Sequence, residues 1–302
     1  MNNEINFDAL LPPAMAEKAE GVGVKKANLD AASMFALAVL AGAFIALGAV
    51  ISTTVAAGSG ALPYGVARLL AGLVFSLGLI LVIVGGAELF TGNNLIVMAF
   101  ASGKIGFGAV LRNWVIVYLG NFAGSILTAY IMFLTKQYTF GNGAIGLAAL
   151  NTANSKAGLD FMQALALGIM CNALVCMAVW LCFSARTTTD RILAIIPPIT
   201  AFVAAGFEHS IANMYFIPIG LFIKSGAGSE FWQLPALVDA GKTVESFGAI
   251  TWQNFFIGNL LPVTIGNIIG GAAMVGMLYW FIYRRSQMAA AAAAPQKKAA
   301  KA

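Results

Sequence analysis

The stretch AGFEHSIANMYFIPIG, residues 205–220, contains His209, the single histidine of a 302-residue chain, with Glu208 beside it. Both sit inside an apolar run. An imidazole can give or take a proton near neutral pH. A carboxylate surrounded by hydrocarbon is costly; it persists when it is paired, caps backbone or lines a wet path. A second carboxylate, Glu88, occupies a similar place in GGAELFTGN, residues 85–93. Apart from Asp160 at the very edge of one, no other acidic residue falls inside an apolar segment. Two uses fit these groups: handling a small ionisable solute that crosses an apolar layer, or acid–base catalysis within that layer. Catalysis is the weaker reading. Adjacent helical residues point about 100° apart, so Glu208 and His209 make a poor dyad. The sequence also shows no nucleophile motif, metal-ligand cluster or cofactor fingerprint. The expectation is a non-enzyme without a cofactor.

The elements that must carry these residues are membrane spans. Hydrophobic residues make up 60% of the chain and charged residues 10%; mean hydropathy is +0.86. Soluble domains are about 25% charged, so a water-facing globular protein is excluded. A spanning helix needs roughly 20 apolar residues. Six apolar segments, at about 31–57, 65–101, 108–135, 159–184, 192–223 and 252–283, meet that need. The second and fifth are over-long and interrupted by polar residues. Alternating ten-residue β-barrel segments are not seen. The first 25 residues are polar, so the first span, rather than a cleaved leader, is expected to direct insertion. Twelve of the 17 Lys and Arg flank one side of the spans and five the other, which predicts that both termini are cytoplasmic. The net charge of +5 is this topological signal, with no implication of nucleic acid. Cys171, Cys176 and Cys182 share one span and read as small core residues.

The chain repeats itself. GAELFTGN from Gly86 aligns with GFEHSIAN from Gly206, pairing Glu88 with Glu208 and Asn93 with Asn213. NWVIVYLGNFAG from Asn113 aligns with NLLPVTIGNIIG from Asn259, pairing Asn121 with Asn267. The first and fourth spans align weakly, through Phe35/Phe161 and Gly42/Gly168. Three spans per half is an odd number, so the second half must be inverted. Such folds place their site near the midplane, on broken helices at corresponding positions. Glu88 and Glu208, with Asn93 and Asn213, are expected to support the broken loops by accepting hydrogen bonds from freed backbone. His209 has Leu89 as its counterpart, so scaffolding does not account for it; a role in the path is expected. The glycine-spaced GNFAG and GNIIG read as close helix packing within the chain.

GFEHSIANM, NLLPVTIGNIIGG and GGAELFTGN resemble signatures of the formate/nitrite transporter family, closest to its bacterial formate channel branch. FDALLPPAMAEKA, LPYGVARLLAGLVFSLGLILV and MCNALVCMAVW are similar to that branch too, so the likeness covers roughly residues 7–285. It implies an all-α, aquaporin-like membrane fold in the bacterial cytoplasmic membrane, and a homopentamer with one pore per protomer. It also implies passage of a small monovalent anion: formate, or nitrite or hydrosulfide in sibling members. By the same likeness His209 stands at mid-pore with Thr91 as its polar partner. Leu79 and Leu89 form a constriction, and Phe75, Phe202, Val175 and Asn172 line the pore. Lys156 is a basic vestibule residue near Glu208 and Asn213. Gly92–Asn93 departs from the branch, which carries small hydroxyl residues after the threonine; the glycine is expected to loosen that loop.

Magnitudes suggest how an anion could pass. Burying a bare carboxylate costs on the order of 20 kcal/mol in the Born limit. Protonating an acid of pKa about 4 at neutral pH costs only about 4 kcal/mol. A narrow apolar conduit therefore favours the neutral acid, with His209 giving or relaying the proton. The expected units are a cytoplasmic N-terminal segment, 1–30, a channel unit, 31–285, and a disordered tail, 286–302. Within the first, an amphipathic helix after Pro12–Pro13 places Ala14, Ala16 and Ala19 opposite Glu17 and Lys18. The family likeness implies that it can cover the cytoplasmic mouth and close it at low pH; a membrane-surface anchor is the other reading.

Overall fold

In the computed structural model, which describes residues 9–288, the chain is all-helical, with no strand among the described residues. Ten helices matter here: α1 (Pro12–Ala27), α2 (Ala31–Ala56), α3 (Tyr64–Gly85), α4 (Phe90–Ala101), α5 (Phe107–Leu134), α6 (Ala144–Ala157), α7 (Phe161–Ser184), α8 (Thr188–Ala204), α9 (Ser210–Gly226) and α10 (Asn254–Met288). Five of them, α2, α3, α5, α7 and α10, are long and apolar enough to cross a bilayer. Leu73, Leu119, Leu127 and Leu278 lie exposed on their outer faces, which suits hydrocarbon or a neighbouring protomer better than water.

Local chemistry sets where helices start and stop. Asp30 caps α2 by accepting the Ser33 N–H, and Asp160 caps α7 by accepting the Gln163 N–H, each at 2.9 Å. Helix α3 stops at Gly86 with φ 80°, and α8 stops just before Gly206 with φ 79°. Side chains other than glycine pay to adopt that left-handed conformation. After each glycine come three non-helical residues before α4 or α9 begins.

Glycines let α5 lie against α2 and α10 against α7. An added Cβ at Gly124 would come 2.0 Å from the Val39 carbonyl oxygen, and one at Gly270 would come 2.1 Å from that of Ile169. The packing is within the chain, as the glycine spacing predicts.

The backbone contacts correct one pairing. The Glu88 N–H donates to the Leu37 carbonyl, and the Glu208 N–H to that of Leu167. The corresponding positions are therefore Leu37 with Leu167, Ala38 with Gly168, and Asp30 with Asp160, each 130 positions apart in the numbering. The pairing Phe35/Phe161 and Gly42/Gly168 is one helical turn out. A four-residue slip keeps the same apolar face, so hydropathy cannot detect it.

Helix α1 packs Met15, Ala16 and Ala19 against Leu95, Met98, Cys176, Trp180 and Phe183. Ala14 is exposed, and Met15 takes the place expected for it. Lys18, expected on the polar side, reaches the Phe183 carbonyl at 2.8 Å. Glu20 is fully buried. It pairs with Lys104 at 2.6 Å and Arg284 at 2.7 Å, and accepts the Ser102 hydroxyl. At the other end the helix continues to Met288, past the expected boundary at 285; the rest of the tail lies outside the described residues.

Candidate functional site

The loop between α3 and α4 and the loop between α8 and α9 are pinned by matching hydrogen bonds. In the first, Lys26 Nζ donates to Glu88 Oε1 at 2.7 Å and to Asn93 Oδ1 at 2.9 Å. Asn93 Nδ2 donates to Glu88 Oε2 at 2.7 Å and to Asn113 Oδ1 at 2.9 Å. In the second, Lys156 Nζ donates to Glu208 Oε1 at 2.6 Å, and Asn213 Nδ2 donates to Glu208 Oε2 and to Asn259 Oδ1, both at 2.7 Å. Asn121 and Asn267 bridge from behind. Each amide donates to the carbonyl of its loop glutamate, and each amide oxygen accepts the first N–H of the following helix, from Phe90 or Ser210. The expected bonds from freed backbone to the glutamates are not those formed: the carboxylates hold lysine and asparagine side chains, and Asn121 and Asn267 satisfy the freed backbone that an apolar setting cannot leave unpaired. Gly92 does not leave its loop slack, because the neighbouring Asn93 is held by Lys26, Glu88 and Asn113.

Two cavities approach these loops from opposite ends of the helices. One, of about 340 Å³, is lined by Leu79, Val82 and Gly86 of the α3 end, and by Leu89, Val179 and Arg191. Lys18, Ala19, Val22, Gly23 and Lys26 of α1 line this cavity too. The other, of about 560 Å³, is lined by Arg68, Ala71 and Phe75 of the α3 start, and by Lys156, Leu167, Phe202, Glu208, His209 and Phe216. Phe75 and Leu79 are one turn apart on α3 yet belong to different cavities. The two cavities are therefore separated by a short waist. On α7 the waist falls between Leu167 and Val179, at the depth of Asn172 and Val175.

Buried at that waist, Thr91 Oγ1 lies 2.9 Å from His209 Nε2. His209 Nδ1 accepts the Ala212 N–H at 3.0 Å. A ring nitrogen that accepts carries no proton, so the neutral ring bears its hydrogen on Nε2 and donates it to Thr91. The Thr91 hydroxyl hydrogen is then left to donate elsewhere. Both residues break the repeat: Leu89 stands opposite His209, and Ile211 stands opposite Thr91. Around the pair, Phe202 stacks on His209 at 5.9 Å between ring centroids, and Phe75 meets Phe202 edge-on at 5.7 Å.

The expected residues are not all on cavity walls. Leu79, Leu89, Glu88 and Asn93 line the first cavity; Phe75, Phe202, Lys156, Glu208 and His209 line the second. Thr91, Asn172, Val175 and Asn213 line neither. Asn172 Nδ2 donates to the Thr91 carbonyl at 3.3 Å and the Asn267 carbonyl at 2.7 Å, so it braces the Thr91 loop from behind. Sequence reasoning missed Lys26, which becomes visible only with the corrected register, and Phe216, which sits one turn after Ala212 on α9 and lines the same cavity as His209.

A sequence model of the formate/nitrite transporter family matches residues 13–281. The chain belongs to the formate/nitrite transporter family. Among the members of this family that it is similar to is the formate channel FocA of Escherichia coli K12, 47% identical over 279 residues, covering 92% of this chain and 96% of that one. The formate channel FocA of Haemophilus influenzae is 39% identical over 281 residues, covering 93% and 97%. A solved family structure, a pentameric formate channel with formate bound, superposes with a TM-score of 0.78 at 47% identity, covering 84% of this chain and 97% of that one.

Proposed function

We propose that this chain is a passive formate channel of the bacterial cytoplasmic membrane, assembled as a homopentamer with one path per protomer. The observation that carries this reading is the Thr91–His209 pair, buried between two lysine-walled cavities. That its relatives include proteins named formate channels supports formate as the solute, ahead of nitrite and hydrosulfide. In this reading the membrane unit, 31–285, is two inverted three-span halves in an aquaporin-like arrangement. Helices α3 with α4 and α8 with α9 form its broken second and fifth spans, and both termini are cytoplasmic. The segment before residue 31 borders the cytoplasmic mouth.

Formate is drawn to Lys156 or Lys26, each held beside a carboxylate that tempers its charge. At the waist, Leu79, Leu89, Phe75, Phe202 and Val175 offer nothing to an anion. Full desolvation there would cost several kcal/mol even after relaxation. Taking up a proton costs about 4 kcal/mol at neutral pH for an acid of pKa about 4. The Thr91 hydroxyl, polarised by His209 Nε2–H, offers a donor as the charge is lost. A cationic ring would set Nδ1–H against the Ala212 N–H, so the geometry favours a proton that arrives from water in the vestibule over one given by a resident imidazolium. Chloride has no neutral acid available in water. Proteoliposomes loaded with the purified channel should pass formate and exclude chloride; equal permeation would overturn the protonation step.

A further inference from the structure

We propose that Phe216 is a positioning residue for Lys156, holding its ammonium ready for a small carboxylate in the cavity on the His209 side; this rests on the channel reading above. The two loop lysines are built alike and differ in one respect. Lys26 Nζ is shared between Glu88 Oε1 and Asn93 Oδ1. Lys156 Nζ reaches Glu208 Oε1 but not Asn213 Oδ1, which is buried and has no hydrogen-bond partner among the described residues. Lys156 Nζ lies instead over the Phe216 ring, 5.5 Å from its centroid. Phe216 is itself stacked on Phe75 at 6.3 Å. At the place corresponding to Phe216, 120 positions earlier like Glu88 to Glu208, stands Ile96, which offers no ring face.

The physical consequence is a difference in spare donors. An ammonium has three N–H groups. Lys26 spends two on protein oxygens, whereas Lys156 spends one and is held by the negative face of an aromatic ring. A carboxylate entering this cavity therefore meets an ammonium with unspent donors, kept from collapsing onto Asn213. Without the ring, Lys156 would turn to Asn213 Oδ1 as Lys26 does to Asn93, and its grip on the anion would weaken.

The test replaces Phe216 in the full-length channel by phenylalanines carrying one, two and three fluorines, which weaken the ring's negative face at nearly constant shape. Formate influx is measured in right-side-out and inside-out vesicles. The concentration for half-maximal flux should rise stepwise, about two- to fivefold across the series, only when formate enters from the Lys156 side, with maximal flux little changed. Phe216→Ile should raise it at least as far, and Phe216→Tyr should not. A flat response to fluorination, in vesicles where Lys156→Met does raise that concentration, would overturn the positioning role alone. No effect of Lys156→Met would remove the vestibule reading and this inference with it.

Discussion

Thr91 Oγ1 stands 2.9 Å from His209 Nε2, and each of the two residues replaces an aliphatic side chain found at the corresponding place in the other half. The departures from the repeat thus meet each other. Symmetry-related carboxylates and amides build the loops, and this asymmetric pair supplies the waist with a polar function.

Removing the hydroxyl alone tests that function. Thr91→Val keeps the shape and leaves His209 Nε2–H buried without its acceptor, a loss of roughly 1–3 kcal/mol. Formate flux in proteoliposomes should fall about tenfold, the equivalent of roughly 1.4 kcal/mol. Thr91→Ser should retain most of it. Equal flux in the valine variant would show that the hydrogen bond is idle.

The loop carboxylates should behave as fold determinants. Glu88→Ala and Glu208→Ala each take the carboxylate partner away from a partly buried lysine and one of the acceptors away from a buried asparagine. Breaking a buried ion pair in this way costs about 3–5 kcal/mol. Both variants should give a lower Tm in detergent by tryptophan fluorescence, whereas Lys104→Ala, whose side chain is 41% exposed, should shift it much less.

Gly86→Ala isolates the backbone term. An added Cβ at Gly86 meets nothing within 4 Å, so only its φ of 80° opposes the substitution. The cost should be about 1–2 kcal/mol, and Gly86→Asn should recover part of it. An unchanged Tm for both would mean that the turn relaxes freely.

The docking of α1 carries a pH dependence whose sign can be worked out. Burial pushes the Glu20 carboxyl up, but hydrogen bonds from Arg284, Lys104 and Ser102 outweigh it and leave the group below its ordinary value. A carboxyl lowered in the docked state stabilises docking above its free pKa of about 4.3, and that stability is lost as pH falls through the lowered value. Protease cleavage within α1 should therefore stay slow from pH 7 to 5 and quicken below about pH 4. Glu20→Gln should be cut readily at pH 7. Rapid cleavage of the unaltered chain at pH 5.5 would contradict this assignment.

Much of the site can be read from residue types alone. Glu88 and Glu208 stand out because charge is scarce in apolar segments, and Gly86 and Gly206 align because both loops need the same left-handed turn. Lys26 was hidden, since the apolar faces of α2 and α7 match equally well one turn out of register. Glu20 was hidden because nothing in a polar segment marks one carboxylate among several as buried; its partners Lys104 and Arg284 come from distant parts of the chain. The family likeness alone puts Asn172 on the pore wall, whereas its amide is consumed by the carbonyls of Thr91 and Asn267.

The most direct test of passage as a neutral acid is to follow internal pH and membrane potential while formate enters proteoliposomes containing the channel. The account predicts about one proton taken up per formate and a flux indifferent to an imposed potential. Formate entry that carries current and leaves the interior pH unchanged would contradict it.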